Sequence, residues 1–269
     1  MRVAVIGAGA MGRALSTGAH DQDPAKWQFV FFDPHTESAK VAAEAVNGEV
    51  AESAQQAANG ADLVLLAVKP QVQAGVLHRL DPGSACLVSI AAGRSLADME
   101  RDLDRAGHPN VPIVRVMPNV NASVAMATSA LCANGDATPA QVGEVRALFD
   151  SIGTTVDVPE KLFGAFTAMA GSSPAWYFRI ANSLAMAGVD QGLTKAQAIR
   201  AAASAMQGSA ALLLKTLDEG GNAEELVDRV CSPGGTTVAG LLAAERAGLS
   251  NSLVAAVNAT VARNRELGG

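Results

Sequence analysis

The sequence predicts a doubly wound α/β domain followed by an all-helical domain. Short, almost continuously apolar runs alternate with helix-patterned segments through the first half of the 269-residue chain. Such runs are typical of parallel strands that are covered on both faces. After Pro159 the strand pattern disappears, and apolar residues recur at helical spacing. We therefore expect residues 1–158 to form the first domain and residues 159–269 the second.

Each strand predicted in the first domain is a short apolar run between turn residues. The strands are Val3–Ile6, Phe29–Phe32, Leu63–Ala67, Cys86–Ile90, Ile113–Val116, a run near Thr128–Cys132 and a short one near Thr155–Val158. The helices between them are Met11–His20, Thr36–Val46, Ala54–Asn59, Pro70–Leu80, Leu96–Arg105 and Ala140–Ser151. This regular alternation of strand and helix predicts the doubly wound sheet.

The second domain is predicted to be a set of alanine-rich helices. One is expected to begin with Ser173 as its cap and Pro174 in its first turn. That helix should turn four bulky residues inward, namely Trp176, Tyr177, Ile180 and Leu184. A second helix carries the apolar stripe Ile199, Ala203, Met206, Ala210, Leu213 and Leu217, and others fit Ala223–Cys231, Thr237–Ala247 and Ser252–Leu267. Because small side chains bury little surface, we expect these helices to pack against a second copy of the chain.

A glycine-rich loop follows the first strand and opens the first helix. Its residues are Gly7, Ala8, Gly9, Ala10, Met11 and Gly12. In this context the G-x-G-x-x-G spacing predicts a dinucleotide-binding loop of the Rossmann type, with the pyrophosphate at the helix N-terminus. Asp33 ends the second strand, where an acid accepts hydrogen bonds from a ribose and repels a 2′-phosphate. The sequence thus predicts NAD(P)H with a preference for NADH, the alternative being a plain glycine turn and a helix cap at Asp33.

Three further strand ends are expected to contact the same cofactor, because open α/β sheets bind ligands beyond the carboxyl ends of their strands. Small residues there leave room for a nicotinamide ring. The residues are Ala67, Lys69, Pro70, Ala92, Gly93 and Asn119. Two of them have a second interpretation, since Lys69 could be a surface cation and Asn119 could cap a turn.

A second anion site is predicted at Ser232-Pro233-Gly234-Gly235-Thr236-Thr237, between two helix-patterned segments. Pro233 ends the preceding helix, and the paired glycines let the backbone approach a ligand closely. Thr236 and Thr237 stand where a helix begins, so unpaired N–H groups there can face an anion. Cys231 beside this loop is either a reactive thiol or a small buried hydrophobe.

Charge and composition exclude several classes of protein. The net charge of −6 argues against a nucleic-acid groove and an anionic membrane surface. No apolar run reaches the length of a membrane span. The four histidines form no H-x-x-x-H pair, so no metal site is expected. Three cysteines without C-x-x-C spacing fit the reducing cytoplasm better than a disulfide scaffold.

Taken together, these motifs resemble the pyrroline-5-carboxylate reductase family. The matching segments are Gly7–Gly12, Ala67–Pro70, Ser89–Gly93, Arg115–Asn119, Gly171–Ala175 and Ser232–Thr237. The resemblance implies a Rossmann domain, a helical dimerisation domain and NAD(P)H-dependent reduction of the cyclic imine L-1-pyrroline-5-carboxylate to L-proline. It also implies a homo-oligomer built from dimers, in which the loop of one subunit faces the cofactor of the other.

The resemblance further implies a role for each residue of the last motif. Ser232, Gly234, Gly235 and Thr236 would bind the substrate carboxylate, and Thr237 would be the catalytic residue that offers its hydroxyl to the ring nitrogen.

The chain departs from the family pattern at Val120 and Asn121, where Thr and Pro are usual. Three other functions stay open: reduction of a related cyclic imine, a β-hydroxyacid-dehydrogenase-like oxidoreductase, and a non-catalytic dinucleotide-binding regulator. The second needs a proton donor, commonly a Lys, and Phe163–Arg179 contains none.

Overall fold

Eight strands form one sheet in this computed structural model, which describes residues 1–267. The strands are β1 (Arg2–Ile6), β2 (Gln28–Phe32), β3 (Glu49–Val50), β4 (Leu63–Leu66), β5 (Cys86–Ser89), β6 (Ile113–Met117), β7 (Ala127–Ala133) and β8 (Gly153–Asp157). They lie in the order β3-β2-β1-β4-β5-β6-β7-β8. The first six are parallel to one another, β7 runs antiparallel to β6, and β8 runs parallel to β7. The predicted doubly wound sheet is confirmed.

Helices connect the strands and then continue alone to the end of the described chain. They are α1 (Ala10–Gln22), α2 (Thr36–Ala45), α3 (Ala54–Ala58), α4 (Pro70–Leu77), α5 (Leu96–Arg105), α6 (Pro139–Asp150), α7 (Phe163–Phe166), α8 (Ser173–Asp190), α9 (Lys195–Asp218), α10 (Ala223–Val230), α11 (Thr236–Arg246) and α12 (Leu249–Leu267). Two 3₁₀ turns span Val120–Val124 and Glu160–Leu162, and a π-helical turn spans Thr167–Ser172.

The continuous apolarity of the strands reflects burial on both faces of the sheet. In β1, Val3 and Val5 enter one core, whereas Ala4 and Ile6 enter the other. Every residue of β4 and β5 is buried. Side chains alternate between the faces of a strand, so a strand covered on both sides needs apolar residues throughout.

Two features of the sheet are absent from the sequence pattern. The strand β3 is only two exposed residues long, too short to show any alternation. The reversal between β6 and β7 contains a 3₁₀ turn that closes at Ala125, whose φ is 54°. A parallel connection needs a crossover of about a dozen residues or more, usually a helix. The short link therefore makes β7 antiparallel to β6.

The chain divides into two compact units, one of Met1–Ser172 with the residues from Thr260 onward, and one of Ser173–Ala259. The first unit extends past residue 158 because Glu160 binds back to the sheet. Its Oε1 accepts hydrogen bonds from Arg115 Nη1 at 2.8 Å and from the Leu96 N–H at 2.7 Å. A domain boundary between residues 158 and 159 stays a prediction.

The second unit consists of the predicted alanine-rich helices. Helices α8 and α9 approach closely, since a Cβ added at Gly188 would lie 3.1 Å from the Cβ of Ala198. The buried side chains are small, whereas many large apolar ones are exposed. Those more than half exposed include Phe178, Leu184, Met186, Leu214, Val230 and Val254.

Two details predicted for α8 are wrong. Ser173 does not cap a helix, because helical backbone already covers Phe163–Phe166 and Thr167–Ser172. Tyr177 and Leu184 do not point into a core of this chain, being 49% and 55% exposed. The helical period shows that they share a face, but it cannot show whether the chain itself or another molecule covers that face.

Candidate active site

Main-chain hydrogen bonds hold the predicted cofactor segments of the first unit along one edge of the sheet. All of these segments follow carboxyl ends of parallel strands. The Gly7 N–H donates to the carbonyl of Phe32 at 2.8 Å, and the Ala67 N–H donates to the carbonyl of Ile6 at 2.8 Å. The order of the strands reverses at β1, which lies between β2 and β4. Open α/β sheets bind ligands at such a point.

The three glycines of the loop have different surroundings. Gly7 has φ +104°, and a Cβ there would lie 2.6 Å from the carbonyl oxygen of Ala67. A Cβ at Gly12 would lie 2.5 Å from the carbonyl oxygen of Gly7. Around Gly9, in contrast, nothing lies within 4 Å of an added Cβ. Gly7 and Gly12 thus permit contacts within the protein, whereas Gly9 leaves open space.

That open space adjoins a helix N-terminus. Gly9 is the N-cap of α1 and forms no side-chain cap, and Ala10, Met11 and Gly12 form the first turn. The first N–H groups of a helix have no partner within it and carry partial positive charge. An anion seated over Gly9 would meet these groups, with Ala8 before them.

Asp33 binds the glycine loop from the end of β2. Its Oδ2 accepts a hydrogen bond from the Ala8 N–H at 2.8 Å, and its Oδ1 accepts one from the His35 N–H at 2.8 Å. Both oxygens of a carboxylate keep further lone pairs for a ligand. The side chain therefore both fixes the loop and closes a turn, and its contact with a ribose stays a prediction.

The next two predicted cofactor segments follow the strands β4 and β5. Lys69 is the N-cap of α4 and is exposed, with Pro70 in the first turn of the helix. Gly93 has φ +73°, a conformation that glycine adopts without a steric cost. Ala92 before it is exposed.

Asn119 is the most constrained of the predicted cofactor residues. It is 6% exposed, and its Oδ1 accepts hydrogen bonds from the N–H groups of Asn121 and Thr128 at 3.2 and 3.4 Å. Its Nδ2 donates to the carbonyl of Ala170 at 2.9 Å. Ala170 lies in the π-helical turn Thr167–Ser172, so this bond connects that turn to the segment after β6. These contacts give Asn119 a capping role, and a contact with cofactor stays a prediction.

In the second unit, the Ser232–Thr237 loop has the backbone that the sequence predicts. Gly234 has φ +68°, and a Cβ added at Gly235 would collide with the Oγ of Ser232. Gly235 is the N-cap of α11, and its N–H donates to the carbonyl of Ser232 at 3.0 Å. Thr236 and Thr237 occupy the first turn, so Thr237 is not the helix cap.

The hydroxyl groups of this loop are available to a ligand. Within the described part of the chain, those of Ser232, Thr236 and Thr237 form no hydrogen bond, and all three residues are exposed. Thr237 also lines a cavity of about 460 Å³ within the second unit, together with Cys231 and the apolar side chains of Leu212 and Val227. Most of the remaining lining is apolar, with Arg229 and Ser209 as its other polar members.

The cysteines differ in reactivity. Burial raises the pKa of the Cys86 thiol to about 12. Burial, assisted by the charge of Glu160, raises the pKa of the Cys132 thiol to about 11. Cys231 is free and half-buried at the end of α10. The thiolate is the reactive form, so Cys86 and Cys132 are inert at neutral pH.

One buried polar group beside the site was not among the sequence predictions. Gln73 on α4 is completely buried and bonds to Ser89 at the end of β5. The signal was available, because Gln73 and Leu77 are four residues apart and occupy the same face of α4. A polar residue on an apolar helix face indicates a buried polar contact.

Residues 1–267 offer neither a cluster of metal ligands nor a helix that could span a membrane. No group of three or more His, Cys, Asp or Glu side chains there is arranged to hold a metal ion. No helix in that range combines the length and apolar character needed to cross a bilayer.

Comparison with known proteins identifies relatives along the whole chain. The family model for pyrroline-5-carboxylate reductase dimerisation matches residues 160–267, and a model for coenzyme F420-dependent NADP oxidoreductases matches residues 2–93. The pyrroline-5-carboxylate reductase of Aquifex aeolicus is 36% identical, covering 99% of this chain and 97% of that protein. The one from Synechocystis is 34% identical, covering 100% and 98%.

A solved structure agrees with these sequence matches. The 1-pyrroline-5-carboxylate reductase of Streptococcus pyogenes has a TM-score of 0.86 and is 33% identical, covering 98% of both chains. The predicted resemblance is confirmed over both the sheet and the helices. The chain belongs to the pyrroline-5-carboxylate reductase family.

Proposed function

We propose that this enzyme reduces the cyclic imine L-1-pyrroline-5-carboxylate to L-proline with NAD(P)H. The observation that carries the proposal is similarity to reductases of this name over 99% of the chain. Both ligand-binding loops are complete within that length. Each leaves exposed polar groups at the start of a helix, where anionic parts of ligands bind.

The residues of the first unit fit a dinucleotide. The empty space at Gly9, at the start of α1, suits a pyrophosphate. The carboxylate of Asp33 would receive the ribose hydroxyls. Lys69, Pro70, Ala92 and Gly93 follow the strands β4 and β5 at the same sheet edge and would contact the nicotinamide end, with Ala67 beside the loop and Asn119 nearby. When bound, the reduced dinucleotide supplies the hydride.

The Ser232–Thr237 loop fits the substrate. We assign the carboxylate to the hydroxyl of Ser232 and the backbone N–H groups of Gly234 and Thr236. Gly235, whose N–H donates to the Ser232 carbonyl, would line the same site and hold the loop in shape. Thr237 would donate its hydroxyl to the ring nitrogen and so fix the orientation of the C=N bond. A cyclic imine is readily protonated and then accepts a hydride at carbon, so positioning is the main demand on the protein.

We also propose a preference for NADH over NADPH. Asp33 places a negative charge at the end of β2, where the 2′-phosphate of NADPH would lie. Its two hydrogen bonds to Ala8 and His35 hold that charge in place. The carboxylate oxygens of Asp33 therefore favour the free 2′-hydroxyl of NADH over the 2′-phosphate of NADPH.

The enzyme is proposed to be a homo-oligomer built from dimers. The second unit exposes large apolar side chains such as Phe178 and Leu214, at 65% and 64%, and lies within the match to the dimerisation model. Burying such side chains contributes about 1.5–3 kcal/mol each. The three cysteines are free, which fits an enzyme that acts in the reducing cytoplasm.

One assay tests the proposed reaction against its alternatives. Oxidation of NADH and of NADPH is followed with pyrroline-5-carboxylate and, separately, with its six-membered homologue. We expect turnover with both dinucleotides and the higher kcat/KM with the five-membered ring. Faster reduction of the larger ring would assign a related imine as substrate. Dinucleotide binding without oxidation by either imine would contradict the proposal.

A further inference from the structure

A chain of polar side chains, buried at Gln73, Ser89 and Asp102, joins two of the cofactor segments. Gln73 and Ser89 are both 0% exposed. Gln73 Nε2 donates a hydrogen bond to Ser89 Oγ at 2.6 Å, and Arg94 Nε donates one to Gln73 Oε1 at 3.3 Å. Arg94 Nη2 donates to Asp102, which is 7% exposed. Asp102 in turn lies 3.5 Å from the Nε2 of His78.

The contacts of Gln73 bracket the turn that carries Ala92 and Gly93. Ser89 is the last residue of β5, and Arg94 directly follows Gly93. The Ser89 hydroxyl also accepts a hydrogen bond from the Ala91 N–H within the turn, at 3.3 Å. The Nε2 of Gln73 therefore binds one end of the turn, at Ser89, and its Oε1 binds the other end, at Arg94.

Gln73 also belongs to the other cofactor segment. It lies in the first turn of α4, three residues after Pro70. The amide thus connects the start of α4 to the turn after β5. Because both segments follow carboxyl ends of neighbouring strands, the link lies directly behind the proposed nicotinamide contacts.

Packing alone does not require this arrangement. An apolar side chain at position 73 would fill the core without needing any partner. A buried amide must satisfy its donors and acceptor, and it therefore permits few alternative arrangements of its neighbours. The turn needs such a constraint, because Gly93 has φ +73° and glycine is free to adopt many conformations.

We propose that Gln73 is a positioning residue that holds the Ile90–Gly93 turn in a fixed place relative to the start of α4, so that both segments meet the nicotinamide end of the dinucleotide together. The inference rests on the proposed function, because it takes these segments as the cofactor contacts. Gln73 itself would touch neither the dinucleotide nor the substrate.

The test compares Gln73→Met with Gln55→Met in the full-length protein. Gln55 offers a control, because both ends of its half-buried amide also bind a neighbouring segment of the same unit, here through main-chain atoms. It donates to the Asp81 carbonyl at 3.0 Å and accepts from the Asp81 N–H at 2.7 Å, at the opposite end of β5. Both variants remove an amide and keep a side chain of similar length.

Two measurements separate positioning from general stability. Hydrogen exchange reports the mobility of the segment 89–94, and fluorescence titration reports the Kd for NADH. For Gln73→Met we expect faster exchange in that segment and a Kd raised about tenfold. For Gln55→Met we expect a similar fall in Tm with neither change. Exchange and Kd equal to those of the parent in Gln73→Met would overturn the inference.

A second variant covers the possibility that Gln73→Met does not fold. Ser89→Ala removes the other half of the 2.6 Å hydrogen bond and should show the same two changes. Combined with Gln73→Met, it should add little to the Kd, since both changes break one connection. Fully additive effects, or unchanged exchange and Kd in Ser89→Ala, would count against the proposal. A parent that binds NADH but reduces no imine would contradict the proposed function alone.

Discussion

The carboxylate of Asp33 accepts a hydrogen bond from the Ala8 N–H at 2.8 Å and so connects the end of β2 to the glycine loop. A residue expected to select the cofactor therefore also shapes the loop that binds it. The two roles act on different quantities. The negative charge affects the choice between dinucleotides, whereas the hydrogen bond affects the affinity for both.

Asp33→Ser is expected to raise the ratio of kcat/KM for NADPH to that for NADH by about tenfold, because the charge that repels a 2′-phosphate is removed. The Kd values for both dinucleotides should rise, since Ala8 loses its acceptor. Asp33→Asn is the control, because it removes the charge but keeps one oxygen that can accept. An unchanged ratio in both variants would leave Asp33 with the loop-shaping role alone.

Thr237→Ala is expected to lower kcat/KM about ten- to a hundredfold by removing the proposed contact to the ring nitrogen. The Tm should change little, because Gly235 and not Thr237 is the N-cap of α11. Thr237→Ser keeps the hydroxyl and should retain most of the activity. Normal turnover with a lowered Tm in Thr237→Ala would remove the catalytic assignment.

Two alanine substitutions in the glycine loop should have opposite effects. Gly7→Ala should destabilise the fold by at least about 2 kcal/mol, because its φ is +104° and its Cβ would lie 2.6 Å from the Ala67 carbonyl oxygen. Gly9→Ala should keep the Tm, because nothing lies within 4 Å of its Cβ, but it should raise the Kd for NADH at least about tenfold by occupying the space for pyrophosphate. Thermal melting and fluorescence titration measure the two effects. A large loss of Tm in Gly9→Ala would mean that the space serves the fold.

Mixing two impaired variants, assayed at an NADH concentration below the parent Kd, tests whether one copy supplies the Ser232–Thr237 loop to the cofactor of another. Gly9→Ala and Thr237→Ala proteins, denatured together and refolded, should regain about a quarter of the parent activity, because half of the random dimers are mixed and each holds one intact site. The same variants refolded separately are the control. No regain from the mixture, with mixed dimers present, would place each site within a single chain.

Alkaline pH should weaken the fold through Cys86. Burial raises the pKa of this thiol from 9.0 to about 12, so the folded protein holds the proton more tightly than the unfolded chain. The resulting stability is complete below pH 9 and is lost as the pH rises from 9 towards 12. Cys86→Ala should flatten the fall of the unfolding free energy over this range, as measured by urea denaturation. An equally steep fall in the variant would assign the dependence to other groups.

The sequence could predict those parts of the structure that depend on local patterns. The strands β4 and β5 followed from continuous apolarity, and the glycine loop followed from its spacing after a strand. The partner of Asn119 could not be predicted, because Ala170 lies 51 residues further along the chain. The exposure of Tyr177 and Leu184 could not be predicted either, because periodicity identifies a face of the helix and not what covers that face. The Gln73 contacts depend on which side chains meet in the core, and no local pattern specifies that.

The different surroundings of the loop glycines bear on how relatives of this enzyme diverge. A Cβ at Gly7 or Gly12 would collide with a main-chain oxygen, so selection should preserve both glycines in any descendant that keeps the sheet. Gly9, in contrast, should be preserved only where the loop still has to bind its ligand. A descendant that has lost its enzymatic role should therefore retain the outer two glycines and lose the middle one. In a genome, the residue at that position should distinguish an active enzyme from a folded homologue that has lost its activity.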